Sequence, residues 1–212
     1  MKEPEMVELD PGALSSEQRE HLLLWAVGPR PIAMVSTVSL SGTANIAPFS
    51  YFTAVGYEPM ALIFCAGRRS DGSEKDSCRN ARPRRDGGTG EFTVNVLVEQ
   101  QAWAATEAAK PLPPGDSEYD LTGLRPLPGV KVAAPRLAGS PIAAECRTTH
   151  IHTVGNHFLV VGEVVHVSVE AGLLDPSDFH LDLDRLGLVG RMGAVDYVRT
   201  GSRFDVRRTS PA

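Results

Sequence analysis

Two long runs rich in β-branched and apolar residues, Pro141 to Val154 and His157 to Glu170, flank the dipeptide Gly155-Asn156. A two-residue turn of this composition between such runs specifies a β-hairpin. It also sets the register, with Val154 opposite His157 and His152 opposite Leu159. A hairpin this long needs further strands to bury its apolar face, and the rest of the chain supplies them. Pro31 to Val38, Asn45 to Val55 (broken at Pro48), Met60 to Ala66 and Glu91 to Val98 all have strand length and strand composition. Helical signals are short. Ser15 and Gln18 form a capping-box pattern before a run ending near Trp25, and Gly28-Pro29 stops it. Lys75 to Ala81 and Glu99 to Lys110 are the other candidate helices. Residues 111–140 carry six prolines and form a long surface excursion, a lid or a cover. Residues 175–190 suggest a short helix and loop.

The reading is mainly β: an antiparallel barrel with short peripheral helices. A parallel α/β fold would need long helices between strands, and no GxGxxG, GxxxxGK[ST] or GxSxG motif stands in a suitable context. Residues 1–28 form a leader with a short helix, 29–199 one barrel domain, and 200–212 a flexible tail. Twenty glycines and 16 prolines fit a turn-rich β protein. A net charge of −5 argues against broad nucleic-acid binding. No apolar run is long enough to cross a bilayer as a helix, and the acidic N-terminus lacks a secretory core, so a cytoplasmic protein is expected. Cys65, Cys78 and Cys146 form no disulfide pattern. Cys65 reads as core, and Cys78, among arginines, as a thiol whose pKa could be lowered. Met34, Met60 and Met192 read as packing, and Trp25 and Trp103 as anchors docking helices onto the barrel.

Several segments, in consistent order, carry a resemblance. Arg30-Pro-Ile-Ala-Met-Val-Ser-Thr37 is followed by Gly42, Asn45 and Ala47-Pro-Phe-Ser-Tyr-Phe52. Lys75-Asp-Ser77 through Asn80, Glu91-Phe-Thr-Val-Asn95, Gly155-Asn-His157 and Gly190-Arg-Met-Gly-Ala-Val-Asp-Tyr197 come after. Together they resemble the flavin reductase-like family of FMN-binding split barrels. Three positions depart from its patterns: Ser77 for Thr, Asn156 for Asp and Ala194 for Gly. The resemblance implies a split antiparallel barrel, a homodimer, bound FMN, and NAD(P)H as electron donor. It also implies electron delivery to free flavin or to a partner monooxygenase.

FMN poses three chemical problems: a dianionic phosphate, an apolar ring face and a polar ring edge. The Arg68 to Ser77 segment offers hydroxyls and cations around a glycine, and the resemblance places phosphate contacts at Arg69, Ser70, Lys75 and Ser77. Ser36, Thr37, Asn45, Ala47, Pro48, Ser50 and Phe52 suit close approach to the ring; strand alternation would set Ser50 and Phe52 on one face. The resemblance gives His157 and Tyr197 the place where nicotinamide docks, orienting it for transfer. Two other readings accompany this one. A flavoredoxin-type FMN electron carrier would use no nicotinamide. A non-catalytic metal- or cofactor-binding module would use His150, His152 and His157, which share one hairpin face, with Cys146 at its far end and Glu163 opposite Thr148.

Overall fold

The computed structural model describes residues 3–113 and 115–206. The capping box at Ser15 and Gln18 is formed and opens helix α1 (Ser16–Ala26). The elements then run β1 (Arg30–Pro31), β2 (Ala33–Val38), β3 (Ala44–Phe49), β4 (Phe52–Tyr57), β5 (Met60–Gly67), α2 (Asp76–Ala81), β6 (Glu91–Val96), α3 (Ala102–Glu107) and α4 (Glu118–Thr122). After these come β7 (Pro126–Leu127), β8 (Arg136–Leu137), β9 (Ile142–Val154), β10 (His157–Val169), α5 (Leu183–Leu186), β11 (Val189–Met192) and β12 (Asp196–Arg199).

Seven strands form one antiparallel sheet in the order β3-β2-β6-β9-β10-β5-β4, and β1, β11 and β12 form a second, small sheet. The large sheet curls on itself. Phe49 on edge strand β3 lies 4.9 Å, centroid to centroid, from Phe64 on β5, near the opposite edge. Phe92 on β6 meets Phe64 edge-on at 5.2 Å. Ala33, Val35, Phe158 and Val160 complete this interior, and α2 seals it with Cys78 and Ala81. No ladder joins β3 to β4, so the barrel is split, as expected. A second apolar layer lies on the outer face, where Ile32, Met34 and Ile46 pack against Ala105 of α3 and Tyr119 of α4.

The hairpin has the expected register at its tip, with His157 opposite Val154 and Leu159 opposite His152. Further down, Thr149 is an extra residue between the pairs His150–Val161 and Thr148–Gly162. A bulge of this kind exchanges the two faces of the strand beyond it. Cys146 therefore lies in the barrel interior, away from the histidine face, and Glu163 faces Arg147 instead of Thr148.

Asn45 to Val55 is not one strand. It splits at Ser50–Tyr51, with Pro48 inside β3 opposite Met34. Pro48 costs no ladder bond because β3 is an edge strand. The bend also breaks the alternation. Ala47, Phe49 and Phe52 pack toward the interior, while Pro48 and Ser50 face a cleft on the other side.

The 111–140 excursion is a cover. Polar groups on β6 and β9 pin it: the Glu145 carboxyl accepts from the backbone N–H of Val130, Lys131 and Val132 at 2.8, 2.6 and 3.1 Å. Asn95 accepts from Leu137 N at 2.7 Å, and the Thr93 hydroxyl donates to the Ala134 carbonyl at 2.9 Å. Trp25 packs over Gly193 yet stays half in solvent, and Trp103 is exposed; Trp103 does not dock α3. Met60 is likewise exposed, and Cys65 is only partly buried. No helix of the described residues is long and apolar enough to cross a membrane.

Candidate functional site

The alternation of β2 sends Thr37 to one face and Ser36 to the other. Thr37 stands directly opposite Asn45 on β3, and its hydroxyl donates to Asn45 Oδ1 at 3.2 Å. Helix α2 brings two more groups to the same place. The Ser77 hydroxyl donates to Asn45 Oδ1 at 3.0 Å, and Asn80 Nδ2 donates to Thr37 Oγ1 at 3.1 Å. Glu118 of α4 closes the chain: its Oε2 accepts from Asn45 Nδ2 at 2.7 Å and from Ile46 N at 3.2 Å. All five side chains are buried. Burial pushes the Glu118 carboxyl above the usual carboxylate range. Ser36, on the outer face, is instead locked under the cover, with its hydroxyl 2.8 Å from Tyr119 Oη and 3.0 Å from Asn95 Nδ2.

Beside this network the 68–76 loop turns at Gly72, whose φ of 82° is left-handed backbone open to glycine. Its charges are mostly neutralised. Arg69 and Arg79 both pair with Asp76, and Arg82 pairs with Glu74 through two nitrogens. Arg68 stacks on Phe158, 4.5 Å from the ring centroid. Lys75 differs. It is half-buried, its ammonium stands 5.7 Å over the Phe49 ring, and no carboxylate pairs with it among the described residues. Burial, with Arg69 as a second cause, pulls its pKa down. Ser70 is exposed. Cys78 is buried in α2, which pushes its thiol up to about 11, the reverse of the expected direction.

On the other face of β3, a cleft of about 220 Å³ is lined by Pro48, Ser50, Arg30, Thr106, Arg191 and Tyr197 among others. Arg30 is 3% exposed. It donates from Nε to Ser50 Oγ at 3.3 Å and also to the carbonyls of Leu24, Val27 and Gly193. The Arg191 guanidinium covers the Tyr197 ring at 4.7 Å, and Tyr197 Oη lies 3.2 Å from Thr106 Oγ1. His157 does not line this cleft. Its Nδ1 donates to Asn156 Oδ1 at 2.8 Å, and its ring lies 5.6 Å from Tyr51. It rests on Gly67, where a Cβ would approach its Nε2 to 3.2 Å.

The anticipated residues therefore divide. Thr37, Asn45 and Ser77 form one hydrogen-bonded group, Lys75 stands at the start of the helix that carries Ser77 and lies over Phe49, Arg69 pairs with Asp76, and Pro48, Ser50 and Tyr197 line the cleft. Ala47 and Phe52 pack on the core, Ser36 lies under the cover, and His157 is at the hairpin tip. Arg30, Asn80, Glu118 and Arg191 complete these groups and were given no role from sequence. Arg30 and Arg191 could have been noticed as single cations inside otherwise apolar motifs, whereas Glu118 sits in a loop with no local signal. His150 and His152 stack on each other at 5.7 Å, and no three His, Cys, Asp or Glu side chains among the described residues are placed to hold a metal ion.

A family model described as "Flavin reductase like domain" matches residues 27–182. An uncharacterized protein of Halalkalibacterium halodurans is 35% identical over 208 residues, covering 95% of this chain and 96% of its own length. The fold is similar to that of nitrilotriacetate monooxygenase component B from Bacillus cereus, with a TM-score of 0.87 and 27% identity over 96% of this chain and 100% of that one. The 2-nitrobenzoate 2-nitroreductase of Pseudomonas fluorescens is similar with a TM-score of 0.85 and 26% identity, covering 96% and 97% of the two chains. With a family model over residues 27–182 and a relative 35% identical over 95% of its length, this chain belongs to the flavin reductase-like family.

Proposed function

We propose that this chain binds FMN and acts as a flavin reductase, oxidising NAD(P)H and passing electrons to free flavin or to a partner monooxygenase. The observation that carries the reading is Lys75. A half-buried cation ordinarily has a counter-ion, and here the neighbouring carboxylates are already taken by Arg69, Arg79 and Arg82. A phosphate would supply that counter-ion, with Arg69, Ser70 and Ser77 close in sequence and Asn45 and Thr37 linked to Ser77. Pro48 and Ser50 would meet the ring. Bound flavin would supply the redox chemistry, and the protein's part is to hold it, orient the donor and limit water. His157 and Tyr197 would orient nicotinamide.

Residues 29–199 would form one cytoplasmic flavin-binding unit. The free edge at β4, where Thr53 to Tyr57 are exposed, suits closure by a second copy. The name of the Bacillus cereus protein, a monooxygenase component, supports an oxygenase as electron acceptor. One observation favours the flavoredoxin-type carrier instead. Arg191 covers one face of the Tyr197 ring, which leaves that face closed to a nicotinamide.

The deciding experiment is the visible spectrum of the purified protein after addition of excess FMN and desalting, followed by NADH and NADPH oxidation assays. Retained flavin with turnover, slowed in a His157→Ala variant that still holds flavin, is the expected result. Retained flavin without turnover would establish the carrier. No flavin and no flavin-dependent oxidation would overturn both readings.

A further inference from the structure

Hydrogen bonds through Asn45 have a direction, and Glu118 sets it. An ionised carboxylate only accepts, so the Asn45 amide must turn its Nδ2 toward Glu118. Asn45 Oδ1 then faces the other way, where two hydroxyls donate to it, from Thr37 at 3.2 Å and from Ser77 at 3.0 Å. A hydroxyl has one hydrogen. That of Thr37 is committed to Asn45, which leaves its oxygen to accept from Asn80 at 3.1 Å. That of Ser77 is committed as well. The Ser77 oxygen can therefore offer an incoming anion only lone pairs.

The neighbouring residues of α4 reinforce the arrangement. The Ser117 hydroxyl donates to the Ala44 carbonyl at 2.6 Å, and Tyr119 Oη meets Ser36 at 2.8 Å. Three consecutive residues thus grip β2 and β3 around Asn45, and Glu118 cannot easily swing aside.

We propose that Glu118 is a positioning residue which, through Asn45, withholds the Ser77 hydroxyl from the phosphate of the flavin. Binding FMN requires Ser77 to exchange its bond to Asn45 for one to phosphate, whereas riboflavin, which lacks phosphate, requires no exchange. This rests on the reading of Lys75 and Ser77 as the phosphate site.

The test compares FMN and riboflavin dissociation constants, by fluorescence titration above the carboxyl titration range, in the wild type, Glu118→Gln, Glu118→Ala and the double variant Glu118→Ala/Ser77→Ala. Glutamine keeps an acceptor oxygen for Asn45 and Ile46 but no charge. Alanine releases Asn45, and with it the Ser77 hydroxyl. The expected result is a preference for FMN over riboflavin that rises about threefold or more in Glu118→Ala. The preference stays at the wild-type value in Glu118→Gln, and the gain disappears in the double variant. An equal rise in Glu118→Gln would mean that charge repulsion alone is at work, and equal weakening of both ligands would mean that α4 only supports the fold. Either result overturns the proposal, as does an unchanged preference. Should the wild type bind neither flavin, it is the phosphate-site reading that has failed. The side-chain amide resonance of Asn45 then decides the direction of the network. It should be shifted by the carboxylate bond in the wild type, and in Glu118→Ala it should move to the position of a free amide; an unmoved resonance overturns the assignment.

Discussion

A methyl group at Gly162 would stand 2.3 Å from Phe92 Cζ and 3.0 Å from Cys146 Cβ. Phe92 cannot yield, because it is fully buried and held edge-on against Phe64. Gly162→Ala is therefore expected to cost about 3 kcal/mol, as overpacking in a rigid core does. Urea unfolding with an unchanged denaturant slope would record it, and a loss below about 0.5 kcal/mol would mean that β10 relaxes freely. Nothing in the sequence around Gly162 distinguishes it from a turn glycine, since the constraint comes from a ring on another strand. The same holds for Cys78. Neighbouring arginines suggested a lowered pKa, but charge was visible in the sequence and burial was not, and burial dominates. Lys75 and Asn45 stood out because the residue types themselves suit a phosphate and a ring edge. Glu118, which binds Asn45, and Arg30, which binds Ser50, belong to segments whose approach only the tertiary fold fixes.

At the scale of elements, most strands were readable because each carries a continuous β-rich run with turn residues at its ends. Two features were not. The bulge at Thr149 changes the face of every residue before it in β9, and alternation counted along the sequence cannot detect one extra residue. The break at Ser50–Tyr51 was hidden because Pro48 looked like the stronger interruption, although an edge strand tolerates it. The excursion shows how a proline-rich segment with little regular structure can still be fixed. Its backbone N–H groups find their acceptor in Glu145, which is fully buried. Glu145→Ala leaves three donors unsatisfied under the cover and should cost at least about 3 kcal/mol. Hydrogen exchange at Val130, Lys131 and Val132 should rise before the barrel itself opens. Protection that persists in the variant would show that the cover is held from elsewhere.

For the whole molecule, a curled sheet with one open side has to bring its ligand site to that opening, because the interior is already filled by Phe49, Phe64, Phe92 and Phe158. The proposed phosphate group and the cleft lie on opposite faces of β3, so a bound FMN would reach around this edge strand and tie the faces together. Its binding energy should then appear as stability of the whole barrel. At a hundred times its dissociation constant FMN is expected to add about 2.7 kcal/mol. Lys75→Met separates the phosphate contribution from that of the ring. Without ligand the variant should be as stable as the wild type or more so, because a desolvated cation with no carboxylate partner is removed. With FMN it should lose a charge-assisted contact, weakening binding about tenfold to a hundredfold. With riboflavin it should match the wild type. Thermal shifts in the two flavins measure all three quantities. Equal loss for FMN and riboflavin would place Lys75 under the ring instead of at the phosphate, and no loss for either would remove it from the site.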